Sequence, residues 1–339
     1  MIDTAPNPRS LYHERAILHR FPSCAVGATV ARVLKMARET DQTPSVTEDG
    51  FGARSVIVDL QHGRIERLDL TPALAAPASE QAIRARAAYH NSLEDNPLSR
   101  VVRISRKGET LSVFSTSPDG VPLSELLAAL EFKTISLSGN ELLELAASIV
   151  TALATMHERM PTIAHGAVTP SHIVLQRDGS TVLTGAMFGD ALQALQLSRE
   201  HLWRDFGIAL PASATTPRFD QRGDVSQLGA VVLAITQRRS LRSDEYPKNT
   251  QEMAMSVSVT GNPITDSKVR TWLQDAIQLH GRVSFSSGID AARAFHEALR
   301  APAERMLEAL TLQAAIRQLC GDADSSAVIE GILPHQRAS

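Results

Sequence analysis

The residues best equipped for chemistry fall in one stretch, IAHGAVTPSHIVLQRDGSTVLTG, at positions 163 to 185. It contains two histidines, His165 and His172, a residue type that serves as base, acid or metal ligand near neutral pH. Two acids, Asp178 in the stretch and Asp190 just beyond it in MFGD, are candidates for a hard cation such as magnesium, which takes oxygen ligands. Each candidate also has a plainer role. A histidine beside IVL on a buried hairpin is more often a hydrogen-bonded packing residue than a ligand or base, and Asp190 reads more readily as a solvated turn residue. The stretch itself is a loop followed by two short β-branched runs, HIVLQ and TVLTG, around the turn RDGS.

The elements that must position these groups differ on the two sides of the stretch. Upstream, ARSVIVDL, RIERLDL, SRVVRIS and TLSVFST are short strand-like runs separated by turns that contain glycine. One helix interrupts them, PASEQAIRARAAYHNSL, with Ser79 as its expected N-cap. This order predicts a five-stranded antiparallel sheet with one helix. Earlier still, GATVARVLKMARE (27 to 39) has helical spacing, with a strand at TVARVL as the alternative. From PLSELLAALEF onward helices dominate. Ser138 and Glu141 form a capping box before a helix whose stripe is Leu142, Leu145, Ile149, Leu153 and Met156. DVSQLGAVVLAITQRR is apolar nearly all round and predicts a helix inside the domain, and three further amphipathic segments follow. The last of them, within 303 to 320, presents Met306, Leu307, Leu310, Ala314 and Leu319 either to the lobe or to a second copy of the chain.

The chain has 339 residues, 43% hydrophobic and 21% charged, with a formal net charge of -3. That length buries a full core, and interspersed charges give no reason to expect nucleic acid or a membrane surface as partner. Cys24 and Cys320 are the only cysteines and lack metal-ligand spacing, so a disulfide framework or zinc site is not expected and a cytoplasmic compartment is. The N-terminal segment carries acids and prolines where a signal peptide needs an apolar run, and no run approaches about 18 apolar residues.

The two-part order, with HGAVTPSHIVL at its junction, resembles the protein kinase superfamily in its bacterial Ser/Thr form, over roughly residues 45 to 299. His165, Pro170 and the apolar Ile173, Val174 and Leu175 match the catalytic-loop region; Asp224 matches the start of the long buried helix, Arg282 a structural arginine, and Gly52 one of the three loop glycines. The resemblance implies an α+β, bilobal kinase-like fold: an N-terminal extension (1–44), a sheet lobe (45–116), a helical lobe (117–299) and a helical tail (300–339).

The same alignment removes the chemistry. Kinases position a transferring phosphate with an orienting Asp, an Asn and an Asp that hold magnesium, and a Lys gripped by a Glu. Here Ala167 stands at the orienting Asp, Thr169 at the catalytic-loop Lys, His172 at the Asn and Gly185 at the metal-binding Asp. Counting from Gly52 places Asp69 at the lysine position, and counting back from Leu93 places Arg86 at the glutamate. These two are therefore expected to face each other as an ion pair with exchanged signs. Thr47 and Asp49 replace the other loop glycines, and acids are expected to face the phosphate space. No lysine occurs between Lys35 and Lys107. The resemblance thus implies a pseudokinase without cofactor or metal, working on a protein partner or on another part of a longer chain. An atypical nucleotide-binding enzyme using Asp190 or Asp178, and a passive structural domain, are the alternatives.

Overall fold

The computed structural model describes residues 46–59, 61–92, 98–211, 217–278 and 285–299, with positions 312, 313, 315, 316 and 319. Arg282, the segment 27–39 and most of 303–320 lie outside the described residues. The described residues from Thr47 onward belong to one compact unit.

The first half is a five-stranded antiparallel sheet in the order β1-β2-β3-β5-β4. Its strands are β1 (Thr47–Asp49), β2 (Gly52–Asp59), β3 (Gly63–Leu70), β4 (Val101–Lys107) and β5 (Thr110–Thr116). Ile65, Leu68, Leu70, Leu111 and Val113 are buried, and helix α1 (Pro77–Ser92) buries Ile83 and Ala87. This helix begins two residues before the expected cap. Proline suits a first helical position because the missing N–H would have no partner there, so Ser79 lies in the first turn, buried, rather than at the N-cap.

The second half opens with β6 (Gly120–Pro122) and α2 (Leu123–Glu131), then α3 (Gly139–Arg159). Ser138 accepts from the Glu141 N–H at 3.3 Å while the Glu141 carboxylate accepts from the Ser138 N–H, the expected reciprocal cap. Strands β7 (Ile173–Gln176) and β8 (Thr181–Leu183) form the hairpin, with β6 as the third strand. Then come α4 (Gly189–Ala194), α5 (Arg199–Phe206), α6 (Gln221–Thr236), α7 (Thr250–Met255), α8 (Pro263–Ile277) and α9 (Gly288–Ala298). Every residue of α6 from Gly223 to Ile235 is buried, as its all-round apolar pattern requires. Its cap is Asp220, which accepts from the Gly223 N–H at 2.9 Å, so Asp224 sits inside the first turn rather than at the start. At the far end, Leu312 and Ile316, neither of them in the expected stripe, are buried against the helical core, and of the stripe itself Leu319 packs there partly buried, while Met306, Leu307, Leu310 and Ala314 lie outside the described residues. No helix among the described residues is long and apolar enough to cross a membrane.

Asp224 ties this half to the loop before the hairpin. Fully buried, its carboxylate accepts from the N–H groups of His165 (2.6 Å) and Gly166 (2.7 Å) and pairs with Nε2 of His157 (2.9 Å). Nδ1 of His157 accepts from the Gly288 N–H at 2.8 Å, so Nε2 carries the proton that Asp224 receives. The contact joins α3, α6, α9 and the loop at one point. Replacing Asp224 by Ala orphans these donors in a buried site and is expected to cost about 3 to 5 kcal/mol in urea denaturation, whereas Asp224→Asn keeps an acceptor oxygen and should cost less.

Candidate functional site

The candidate site lies where the sheet meets the loop from His165 to His172. Its roof is the turn between β1 and β2. The Asp49 carboxylate accepts from the N–H groups of Phe51 (2.9 Å) and Gly52 (3.3 Å), which tightens that turn. Glycine is needed on both sides of Phe51. A Cβ on Gly50 would stand 1.5 Å from the Asp205 carbonyl oxygen of α5, and one on Gly52, at φ +146°, would stand 2.0 Å from that of Asp69. With both side chains absent, the turn descends until Phe51 is only 1% exposed. Its ring centroid lies 4.4 Å from that of His172, 5.2 Å from Phe188 and 5.4 Å from Phe206. These are ordinary aromatic packing distances. The result is one continuous apolar core running from Leu68, Leu70 and Ile83 through Phe51 to Ala167, Phe188 and Phe206.

Beside that ring lies an arginine. The Arg54 side chain is one-tenth exposed and makes three contacts, Nε to Asp49 Oδ2 (3.1 Å), Nη1 to Glu66 Oε1 (3.1 Å) and Nη2 to His172 Nε2 (2.7 Å). A guanidinium only donates, so Nε2 of His172 must accept, and the ring proton sits on Nδ1, 3.0 Å from the Ala167 carbonyl. His172 is therefore neutral. Burial above all, and Arg54 next, push its pKa well below the usual histidine value, against a smaller opposing pull from that carbonyl. The ring also fills the neighbouring position. At Gly185, φ is +78°, and an added Cβ would lie 2.6 Å from Cδ2 of His172. The imidazole at position 172 and the missing side chain at 185 are thus one steric unit.

The other predicted residues fall as follows. Ala167 is fully buried; Thr169 is buried, with its hydroxyl 3.2 Å from His172 Nδ1, and Pro170 opens a short 3-10 turn ending at His172. The Asp69–Arg86 pair does not form. Cross-strand partners share a face, and Arg54 pairs with Leu68 and Gly52 with Leu70, so the cleft face of β3 carries Glu66, Leu68 and Leu70. Asp69 lies one residue out of step, on the opposite face. There it bonds Arg67 (2.8 Å) and accepts from the Ser112 hydroxyl (2.5 Å). Arg86 instead reaches Asp190 in α4, Nε to Oδ2 at 2.9 Å. Asp190 is thereby in an ion pair rather than simply solvated. Nor does Asp49 present a free charge to the cleft, since Arg54 neutralises it. Asp178 lies on the β7–β8 turn, bonded to Ser180. Among the described residues no group of three or more His, Cys, Asp or Glu is placed to hold a metal ion.

Arg54 and Phe51 carry the site, and neither was singled out in the sequence. The available signals were slight: an arginine on the buried alternation of GARSVIVD, and a phenylalanine flanked by glycines.

The arrangement defines a protein kinase-like fold, bilobal and α+β. Among solved structures, the chain is similar to the PknI kinase domain of Mycobacterium tuberculosis, with a TM-score of 0.54 at 17% identity over 75% of this chain and 94% of that one. A double mutant of the same domain gives 0.56 at 16% identity, over 74% and 92%. At this identity the likeness speaks for the fold alone. No family model matches the sequence, and no curated protein does.

Two predictions follow from this geometry. Gly185→Asp should destabilise by about 1 to 3 kcal/mol, through strain at positive φ and collision with His172. Adding His172→Asn should recover part of that loss, a coupling of about 0.5 to 3 kcal/mol in a double-mutant cycle read by denaturation. The second concerns pH. Burial pushes His165 down to about 3 and His90 to about 4, and lowers His172 as well, so all three stay neutral in the folded protein and charge on unfolding below about 6.5. The unfolded state then binds more protons, so stability should be full above pH 6.5 and fall from there toward pH 4. Each group fully buried in neutral form adds a slope of up to about 1.4 kcal/mol per pH unit. Denaturation midpoints across that range check it.

Proposed function

We propose that this chain is a pseudokinase, a kinase-like module that transfers no phosphate and acts by binding a protein partner or another part of a longer chain. The observation that carries the proposal is the apolar core through the cleft, with Phe51 buried against His172, Phe188 and Phe206. Phosphoryl transfer is catalysed mainly by positioned charge. At the positions that would supply it stand the methyl group of Ala167, the bare Gly185 and a neutral His172 whose ring nitrogens are both engaged. The cleft's own cation, Arg54, is already matched by Asp49, Glu66 and His172, so a polyphosphate would have to displace paired groups. The distant cysteines support a cytoplasmic setting.

The test is incubation with labelled ATP, magnesium or manganese, and generic protein substrates, together with melting curves. No incorporation is expected, and no rise in melting temperature, whereas a ligand bound only by the folded state at about 100 times its Kd would add about 2.7 kcal/mol. Incorporation that disappears with Asp190→Ala would instead support an atypical enzyme.

A further inference from the structure

The turn between β1 and β2 resembles a bound molecule more than a connection. Three features converge on it. Its ring lies in an aromatic recess whose walls come from the loop, from the segment after the hairpin and from α5. Its backbone lies directly on α5, which Gly50 permits. Its two ends are held, by the Asp49 carboxylate on the N–H groups of Phe51 and Gly52 and by the Thr71 N–H on the Phe51 carbonyl (3.0 Å). Arg54, three residues on, adds a charged contact to the other lobe through His172. A hairpin turn needs none of these to reverse the chain.

We propose that the β1–β2 turn is an intramolecular ligand of the interlobe cleft: Phe51 occupies a site for a flat, uncharged aromatic ring, formed by His172, Phe188 and Phe206, and closes it to outside ligands. The ligand class follows from the walls. The recess offers ring faces and edges, and the ring nitrogens of His172 are already used by Arg54 and the Ala167 carbonyl, so no polar group is left to select a charged ligand. Removing the ring should leave an apolar void that stays dry and accepts a ring of the same shape, as apolar cavities of about 150 Å³ do for benzene. This deepens the pseudokinase reading, and the two fail separately. Phosphate incorporation by the wild-type chain would end that reading, while the measurements below concern the turn alone.

The experiment uses benzene as the probe. In wild-type protein, melting temperature should not respond to benzene, and the amides of Phe51 and Gly52 should exchange at least about 100-fold more slowly than in an unstructured peptide. In Phe51→Ala the melting temperature should fall and then rise with benzene concentration, by several degrees near saturation. Should that variant fail to fold, Phe51→Leu, which leaves a smaller void, takes its place and should respond more weakly. Any of three results would overturn the proposal: amides of Phe51 and Gly52 that exchange as if unstructured, a folded variant indifferent to benzene, or a wild-type response as large as the variant's.

Discussion

The carboxylate of Asp224 is fully buried and is matched by two backbone N–H groups and one imidazole N–H. A buried charge is tolerated only when so matched, and a matched one fixes the groups around it. What it fixes is the loop at His165 and Gly166. That loop in turn sets the Ala167 carbonyl, which holds Nδ1 of His172 and leaves Nε2 facing Arg54. Phe51 then finds its wall. The path from the centre of the helical lobe to the roof of the cleft is thus a short series of hydrogen bonds, in which the Ala167 carbonyl and the Arg54 guanidinium together fix the tautomer of His172.

The cleft face shows how apolar surface and charge are balanced within the chain. An open cleft leaves apolar surface in water, at roughly 25 cal/mol for each Å², and keeps charges solvated. Here both terms are resolved inside the chain. The aromatic surface is covered by Phe51, and the arginine is shared among two carboxylates and a neutral imidazole. The Arg86–Asp190 pair, with its carboxylate half exposed, adds at most about 1 kcal/mol, so the contact of α1 with the segment after the hairpin depends on the apolar residues Ile83, Ala87, Met187, Phe188 and Ala191.

Much of the helical half was legible in the sequence because its signals are local. The capping box at Ser138 and Glu141, the stripe on α3 and the all-round apolar α6 each follow from residues within a few turns of one another. The places where the sequence misled are also informative. Asp69 was misplaced by a single residue, and in a strand a single residue is the difference between the two faces. Ser79 fell inside the first turn because the helix starts at Pro77, a favoured first helical residue. Arg54 and Phe51 could not be read as partners of His172 at all, since they meet it across 118 and 121 positions of chain respectively, and nothing in a strand pattern states which lobe a side chain will touch. The residue types Ala167 and Gly185, in contrast, are read directly from the sequence, and the proposal of a module that transfers no phosphate starts from them.

Gly166 separates His165 from Ala167 at φ +75°, and a Cβ placed on it would come within 2.3 Å of the Gly189 Cα. The backbone that follows the hairpin therefore rests directly on the loop. A side chain of any size at position 166 would have to push the start of α4 away, and with it Met187, Phe188 and Ala191, which share a core with Phe51, so the bare Cα of Gly166 sets how closely loop and helix lie.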